Sequence, residues 1–135
     1  MVGRRTMGIL LIEDEPRIRA FITGGLGAEG FTVDGTDDGQ VGLDRALDAK
    51  YDLVILDLGL PSMDGLSVLE ALSRRRPDVP VLILSARSDL RTRLAAFSLG
   101  ACDYIEKPFA FDDLLARVRR QLQRGAETAS ATSAR

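Results

Sequence analysis

Three four-residue aliphatic runs constrain this chain most, because each stops on a reactive polar residue. Ile9-Leu10-Leu11-Ile12 meets Glu13-Asp14-Glu15, Leu53-Val54-Ile55-Leu56 meets Asp57, and Val81-Leu82-Ile83-Leu84 meets Ser85. Runs this short and unbroken suit strands buried on both faces, as in a parallel sheet covered by helices. In such sheets ligands bind outside the carboxyl ends of the strands. The pattern therefore gathers carboxylates and a hydroxyl at one edge. That concentration of negative charge calls for a cation or for phosphoryl chemistry.

Amphipathic stretches fill the gaps. Ile18, Phe21, Ile22 and Leu26 fall at helical spacing after Pro16, whose missing N–H costs nothing in a first turn, and Gly30 ends the pattern. Phe31-Thr32-Val33 reads as a short strand. Asp37-Asp38-Gly39 opens a helix carrying Leu43, Ala46 and Leu47, with the acids placed for capping. After a loop from Leu58 to Gly65, Leu66, Leu69 and Leu72 mark a further helix. Leu90, Leu94 and Phe97 form a shorter stripe ended by Gly100, and Tyr104-Ile105 is a weak strand. Phe111, Leu115, Val118 and Leu122, with Leu114 beside them, give the clearest helix. The βα unit recurs five times, which predicts an α/β fold, a (βα)5 doubly wound parallel sheet with right-handed crossovers.

The 135 residues suffice for one domain, expected over 8–124, after a loose leader over 1–7. Residues 125–135 are Ala, Ser and Thr without apolar periodicity and read as a flexible tail or the start of a linker. The chain has no histidine, which removes the commonest general base, the commonest zinc ligand and every Ser-His triad. A single cysteine, Cys102, excludes an internal disulfide and fits a reducing compartment. Arg4 and Arg5 precede an apolar stretch too short for a signal peptide, and no run reaches membrane-spanning length. A cytoplasmic protein without membrane contact is expected. The net charge of −2 and the separation of Arg74-Arg75-Arg76 from the arginines of the last helix argue against direct nucleic-acid binding.

Glu13, Asp14 and Asp57 are expected on adjacent strand ends, where their mutual repulsion would protonate one of them unless a cation lay between. All-oxygen ligands favour Mg2+, with Mn2+ as the other choice. The plainer reading of each acid alone is a solvated loop residue; convergence of three is what favours a metal. Lys107 adds positive charge after the fifth strand, and Ser85 offers a hydroxyl. Together these groups match an aspartyl-phosphate site, with Asp57 as nucleophile and positive groups facing the equatorial oxygens.

The segments Ile12-Glu13-Asp14-Glu15, Leu56 to Gly65 (LDLGLPSMDG), Leu84-Ser85-Ala86-Arg87 and Gly100 to Phe109 (GACDYIEKPF) resemble a two-component response-regulator receiver domain of the CheY-like kind. The likeness spans roughly residues 8 to 124. It implies a flavodoxin-like strand order of 2-1-3-4-5 and phosphorylation of Asp57 by a sensor histidine kinase. It also implies Mg2+ held by Glu13, Asp14, Asp57 and the Gly59 carbonyl, with phosphoryl contacts from Ser85 and Lys107. A cis bond between Lys107 and Pro108 is implied as well. Ser85 and Tyr104 are the switch pair of that resemblance, Ser85 moving toward the phosphoryl group and Tyr104 rotating inward; a fixed half-buried aromatic is the alternative.

Residues 87–124 also resemble the OmpR/PhoB subfamily, whose receivers form homodimers on phosphorylation through helix four, strand five and helix five. That implies intersubunit pairs Arg93 with Asp113 and Asp103 with Arg117, around Leu94, Phe97 and Leu115. Cys102 stands where the subfamily carries an acid, Asp113 replaces its longer Glu, and Ala110 replaces a capping residue. DNA contact is expected only through a domain beyond this chain. Two other functions stay open: a Mg2+-dependent aspartyl-phosphate phosphatase, disfavoured because Gly59 stands where the second acid belongs, and a phosphorylation-independent dimerisation scaffold. Only self-phosphorylation and self-dephosphorylation are expected, not turnover of external substrates.

Overall fold

The computed structural model describes residues 6–61 and 63–133, with side chains described through Gly125. Five βα units follow in sequence: β1 (Gly8–Ile12), α1 (Pro16–Ala28), β2 (Thr32–Thr36), α2 (Gly39–Asp48), β3 (Leu53–Asp57), α3 (Gly65–Arg75), β4 (Val81–Ser85), α4 (Leu90–Ser98), β5 (Asp103–Glu106) and α5 (Phe111–Ser133). The strands form one parallel sheet in the order β2-β1-β3-β4-β5.

The aliphatic runs are strands because the sheet is covered on both sides. Alternation along β1 sends Leu10 and Ile12 to a core shared with Leu43, Val54, Leu56, Val68, Leu69 and Ile83, under α2, α3 and α4. Ile9 and Leu11 join Ile22, Leu26, Ile55, Leu84, Leu114 and Val118 under α1 and α5. Each fully buried Leu or Ile contributes ~1.5–3 kcal/mol relative to exposure, so the three central strands carry much of the fold.

Local chemistry sets the helix ends. Pro16 occupies the first turn of α1. Asp38, Asp64 and Asp89 cap α2, α3 and α4, each carboxylate accepting from backbone N–H groups of the first turn. Gly100 leaves α4 at φ +109, and a Cβ there would lie 2.4 Å from Ser73 Oγ, so position 100 needs glycine twice over.

Four expectations shift. β2 runs over Thr32–Thr36 instead of Phe31–Val33, since at the sheet edge most of its side chains are exposed and periodicity gives little signal. The Leu90, Leu94 and Phe97 stripe points outward at 68, 57 and 43% exposure, while Thr92 and Ala96 are the buried residues of α4. In α5 the inward face is Leu114, Val118, Gln121 and Leu122, with Phe111 and Leu115 half-buried beside it. Finally, the backbone of α5 stays helical through Ser133, where a flexible tail was expected from Gly125 on. Ala126, Ala129 and Ala131 in that segment are strong helix formers, and helix propensity does not require an apolar stripe. Residues 1–5, 62 and 134–135 lie outside the described residues, and with them most of the expected leader.

Candidate functional site

Parallel topology brings the carboxyl ends of β1, β3, β4 and β5 to one edge. Glu13 and Asp14 directly follow β1, Asp57 closes β3, Ser85 closes β4, and Lys107 directly follows β5. The sequence-derived set therefore converges, and one carboxylate oxygen from each of Glu13, Asp14 and Asp57 lies within 4.8 Å of the others.

Glu13 is fully buried and Asp57 is 3% exposed, so their charges need partners. Lys107 Nζ supplies one between them, 2.8 Å from Glu13 Oε1 and 3.1 Å from Asp57 Oδ2. The Gly59 N–H donates to Asp57 Oδ1 at 3.0 Å, and the Glu15 N–H donates to Glu13 Oε2 at 3.1 Å. Burial pushes Glu13 up to about 7, with Asp57 adding to the rise and Lys107 opposing it. Burial alone would raise Asp57 too, but the Gly59 N–H, Glu13 and Lys107 outweigh it and hold Asp57 below its ordinary value. The two acids thus divide the work: Asp57 is held toward its ionised form and Glu13 is pushed toward its protonated form. Lys107 stays charged, because its two carboxylate partners more than compensate its desolvation.

This arrangement fits a hard divalent cation. The donor set is three carboxylates, without nitrogen or sulfur. Glu13 Oε1 is buried and, although Lys107 is close, has no aligned hydrogen bond, so it keeps lone pairs to offer. Ser85 is 1% exposed, and its Oγ accepts from the Arg87 N–H at 3.0 Å. The Lys107–Pro108 peptide bond is cis.

Tyr104 lies behind this edge. Its ring is already inside at 3% exposure, and its hydroxyl donates to the Arg87 carbonyl at 2.8 Å. The residues expected to pair between subunits have partners within the chain. Arg117 reaches Asp103 at 2.7 Å and Asp113 at 3.0 Å, and Arg93 reaches Glu106 at 2.6 Å. Leu94 and Phe97 are exposed beside them, whereas Leu115 packs partly against the α1 and α5 core.

Two contributors escaped sequence reasoning. Arg19 of α1 donates from Nη1 to the Glu13 carbonyl at 2.9 Å and to the Asp14 carbonyl at 3.4 Å, tying down the loop that carries both acids. Glu106 lies between Ile105 and Lys107, and its position beside a key lysine was the only available hint. A cavity of about 810 Å³ lined by Ser73, Pro77, Cys102, Gln121 and Arg124 sits at the amino ends of β4 and β5, away from this chemistry.

Comparison with known proteins agrees with the geometry. A family model described as response regulator receiver domain matches residues 9–119. The transcriptional activator protein IrlR of Burkholderia pseudomallei is 49% identical over 119 residues, covering 88% of this chain and 52% of the relative. The chain spans about half the length of the curated relatives it matches. A CheY-like receiver domain protein from Methanospirillum hungatei superposes with TM-score 0.89 at 25% identity, covering 92% of this chain and 99% of the other. The response regulator TrrA of Thermotoga maritima, solved in complex with Mg2+-BeF, superposes with TM-score 0.79 at 33% identity, covering 86% and 99%. Among the described residues, no helix is long and apolar enough to cross a membrane.

Proposed function

The chain belongs to the response regulator receiver domain family, and on that premise we propose that Asp57 accepts a phosphoryl group from a sensor histidine kinase. The observation that carries this reading is a nearly buried Asp57 held ionised beside Lys107. An ionised oxygen at a strand end is a nucleophile, and Lys107 can follow the developing charge from Asp57 Oδ2 onto a phosphoryl oxygen. Attack on phosphorus forms the acyl phosphate as the bond to the donor nitrogen breaks. Glu13, Asp14, Asp57 and the Gly59 carbonyl would hold Mg2+, or Mn2+ in its place, which supplies charge neutralisation for the transferring group.

Ser85 and Tyr104 form the proposed switch. Ser85 Oγ accepts from the Arg87 N–H while its own O–H is free to donate to a phosphoryl oxygen, and Tyr104 is bonded to the carbonyl of that same Arg87. Movement of one residue therefore reaches both. The responding face is α4, β5 and α5, where Leu94 and Phe97 offer exposed apolar area for a second copy of the chain. Arg93, Asp103, Asp113 and Arg117 would exchange their internal partners for the intersubunit pairs, with Leu115 at the margin. Output through DNA is carried over from IrlR, a transcriptional activator, and the DNA contacts would be made outside these residues. A cytoplasmic setting follows from the same reading. Gly59 leaves no second acid for turnover of external substrates, and the complete Asp57, Asp14, Ser85 and Lys107 set gives a pure scaffold role nothing to explain it.

Acetyl phosphate with Mg2+ is expected to add one phosphoryl group by intact mass, and Asp57→Asn to abolish the addition. Labelling that persists in the variant would sink the assignment.

A further inference from the structure

We propose that Arg93 and Glu106 are positioning residues for Tyr104, forming an ionic latch that keeps its ring inside. The inference rests on the reading of Tyr104 as a switch, but concerns what holds it. Arg93 projects from α4, and its guanidinium carbon lies 5.0 Å from the centre of the Tyr104 ring. That is cation–π range. The same guanidinium is pulled over the ring by Glu106, with Nη2 2.6 Å from Oε1. Phe97, one turn further along α4, adds a tilted ring contact at 6.5 Å. The tyrosine is thus held at both ends, by the Arg87 carbonyl at its hydroxyl and by Arg93 over its face.

The contact differs from an ordinary surface pair. An exposed ion pair contributes little by itself. Here the pair fixes the position of a third group, and Arg93 and Glu106 are only 38 and 43% exposed at their side chains. Asp103, Asp113 and Arg117 line the same groove, but Arg117 engages both of those acids, which leaves Glu106 as the partner of Arg93. The latch is also wired to the acidic edge. Glu106 pairs in register with Ser85 across β4 and β5, and the next residue, Lys107, donates its N–H to the Ser85 carbonyl at 2.8 Å.

The chain has two tyrosines and no tryptophan, so Tyr51→Phe makes Tyr104 the sole fluorophore of its kind. In that background, Glu106→Gln and Arg93→Met are expected to raise acrylamide quenching of Tyr104 by about two- to five-fold, the range set by loss of a weak cation–π contact. The charge-swapped double variant, Arg93→Glu with Glu106→Arg, restores the ion pair with its cation on β5 beside the ring, so partial recovery is expected there alone. Glu70→Gln, which removes an exposed pair with Arg74, serves as the control and is expected to change nothing. Far-UV circular dichroism on each variant separates local release from unfolding. Quenching that stays at the parent value in both single variants overturns the latch. The switch reading fails separately, if phosphorylation-dependent self-association survives Tyr104→Ala.

Discussion

Metal binding at the acidic edge should be coupled to a proton on Glu13. Burial pushes this carboxyl from an ordinary 4.5 up to about 7, and Asp57 contributes to the rise. A cation requires the carboxylate form, so affinity follows the ionised fraction. That fraction climbs from about 0.1 at pH 6 to about 0.9 at pH 8, and the apparent Kd for Mg2+ should tighten about ten-fold over that range. Asp57 adds no slope there, because it is already ionised. Calorimetric titration in two buffers of different ionisation enthalpy reads both quantities. Proton release should approach one per Mg2+ at pH 6 and fall to about one tenth at pH 8. Glu13→Gln removes the titrating group and should leave a weaker but pH-independent affinity. The same shift acts on the metal-free fold. Between pH 4.5 and about 7 the unfolded chain has released the Glu13 proton while the folded one retains it. Stability therefore falls as pH rises through that window, and saturating Mg2+ should flatten the decline. An affinity that is level from pH 6 to 8, or a slope that persists in Glu13→Gln, refutes the reasoning.

Two further outcomes follow from packing. A Cβ at Gly65 would lie 2.5 Å from Leu58 Cα and 2.8 Å from its carbonyl oxygen, so Gly65→Ala should destabilise by ~1–3 kcal/mol in urea unfolding and disturb the loop after Asp57; an unchanged midpoint would contradict the clash. Burial and Asp103 push the Cys102 thiol up to about 12, so at pH 7.5 its thiolate fraction is below about one in 10,000. Alkylation by iodoacetamide should be far slower in the folded protein than in urea, and equal rates would show an accessible thiol.

Sequence reasoning reached β1, β3 and β4 because a sheet covered on both faces admits only aliphatic runs, and Glu13, Asp57 and Ser85 followed from where those runs stop. Lys107 needed the fifth strand, which Tyr104-Ile105 marked weakly. Helical spacing was less informative in α4. It groups Leu90, Leu94 and Phe97 on one face without saying whether that face turns inward, and it is Thr92 and Ala96 that are buried. Leu115 is only half-buried for a related reason, since adjacent Leu114 takes the central position. Arg19 and Glu106 act through distances between separate elements, α1 to the β1 loop and β5 to α4. No local pattern encodes those distances.

The parallel topology also shapes the field at the acidic edge. Every helix starts where the preceding strand ends, so all five amino termini lie on this side. Asp38, Asp64 and Asp89 occupy three of those termini as caps, and their carboxylates take up the positive ends of α2, α3 and α4. With Glu13, Asp14, Glu15 and Asp57 beside them, the rim attracts cations and repels incoming anions at long range. A phosphodonor is itself anionic. On the proposed reading it meets this barrier unless a divalent ion has arrived first, so that reading carries an order of arrival, cation before phosphoryl group, set by where the helices begin.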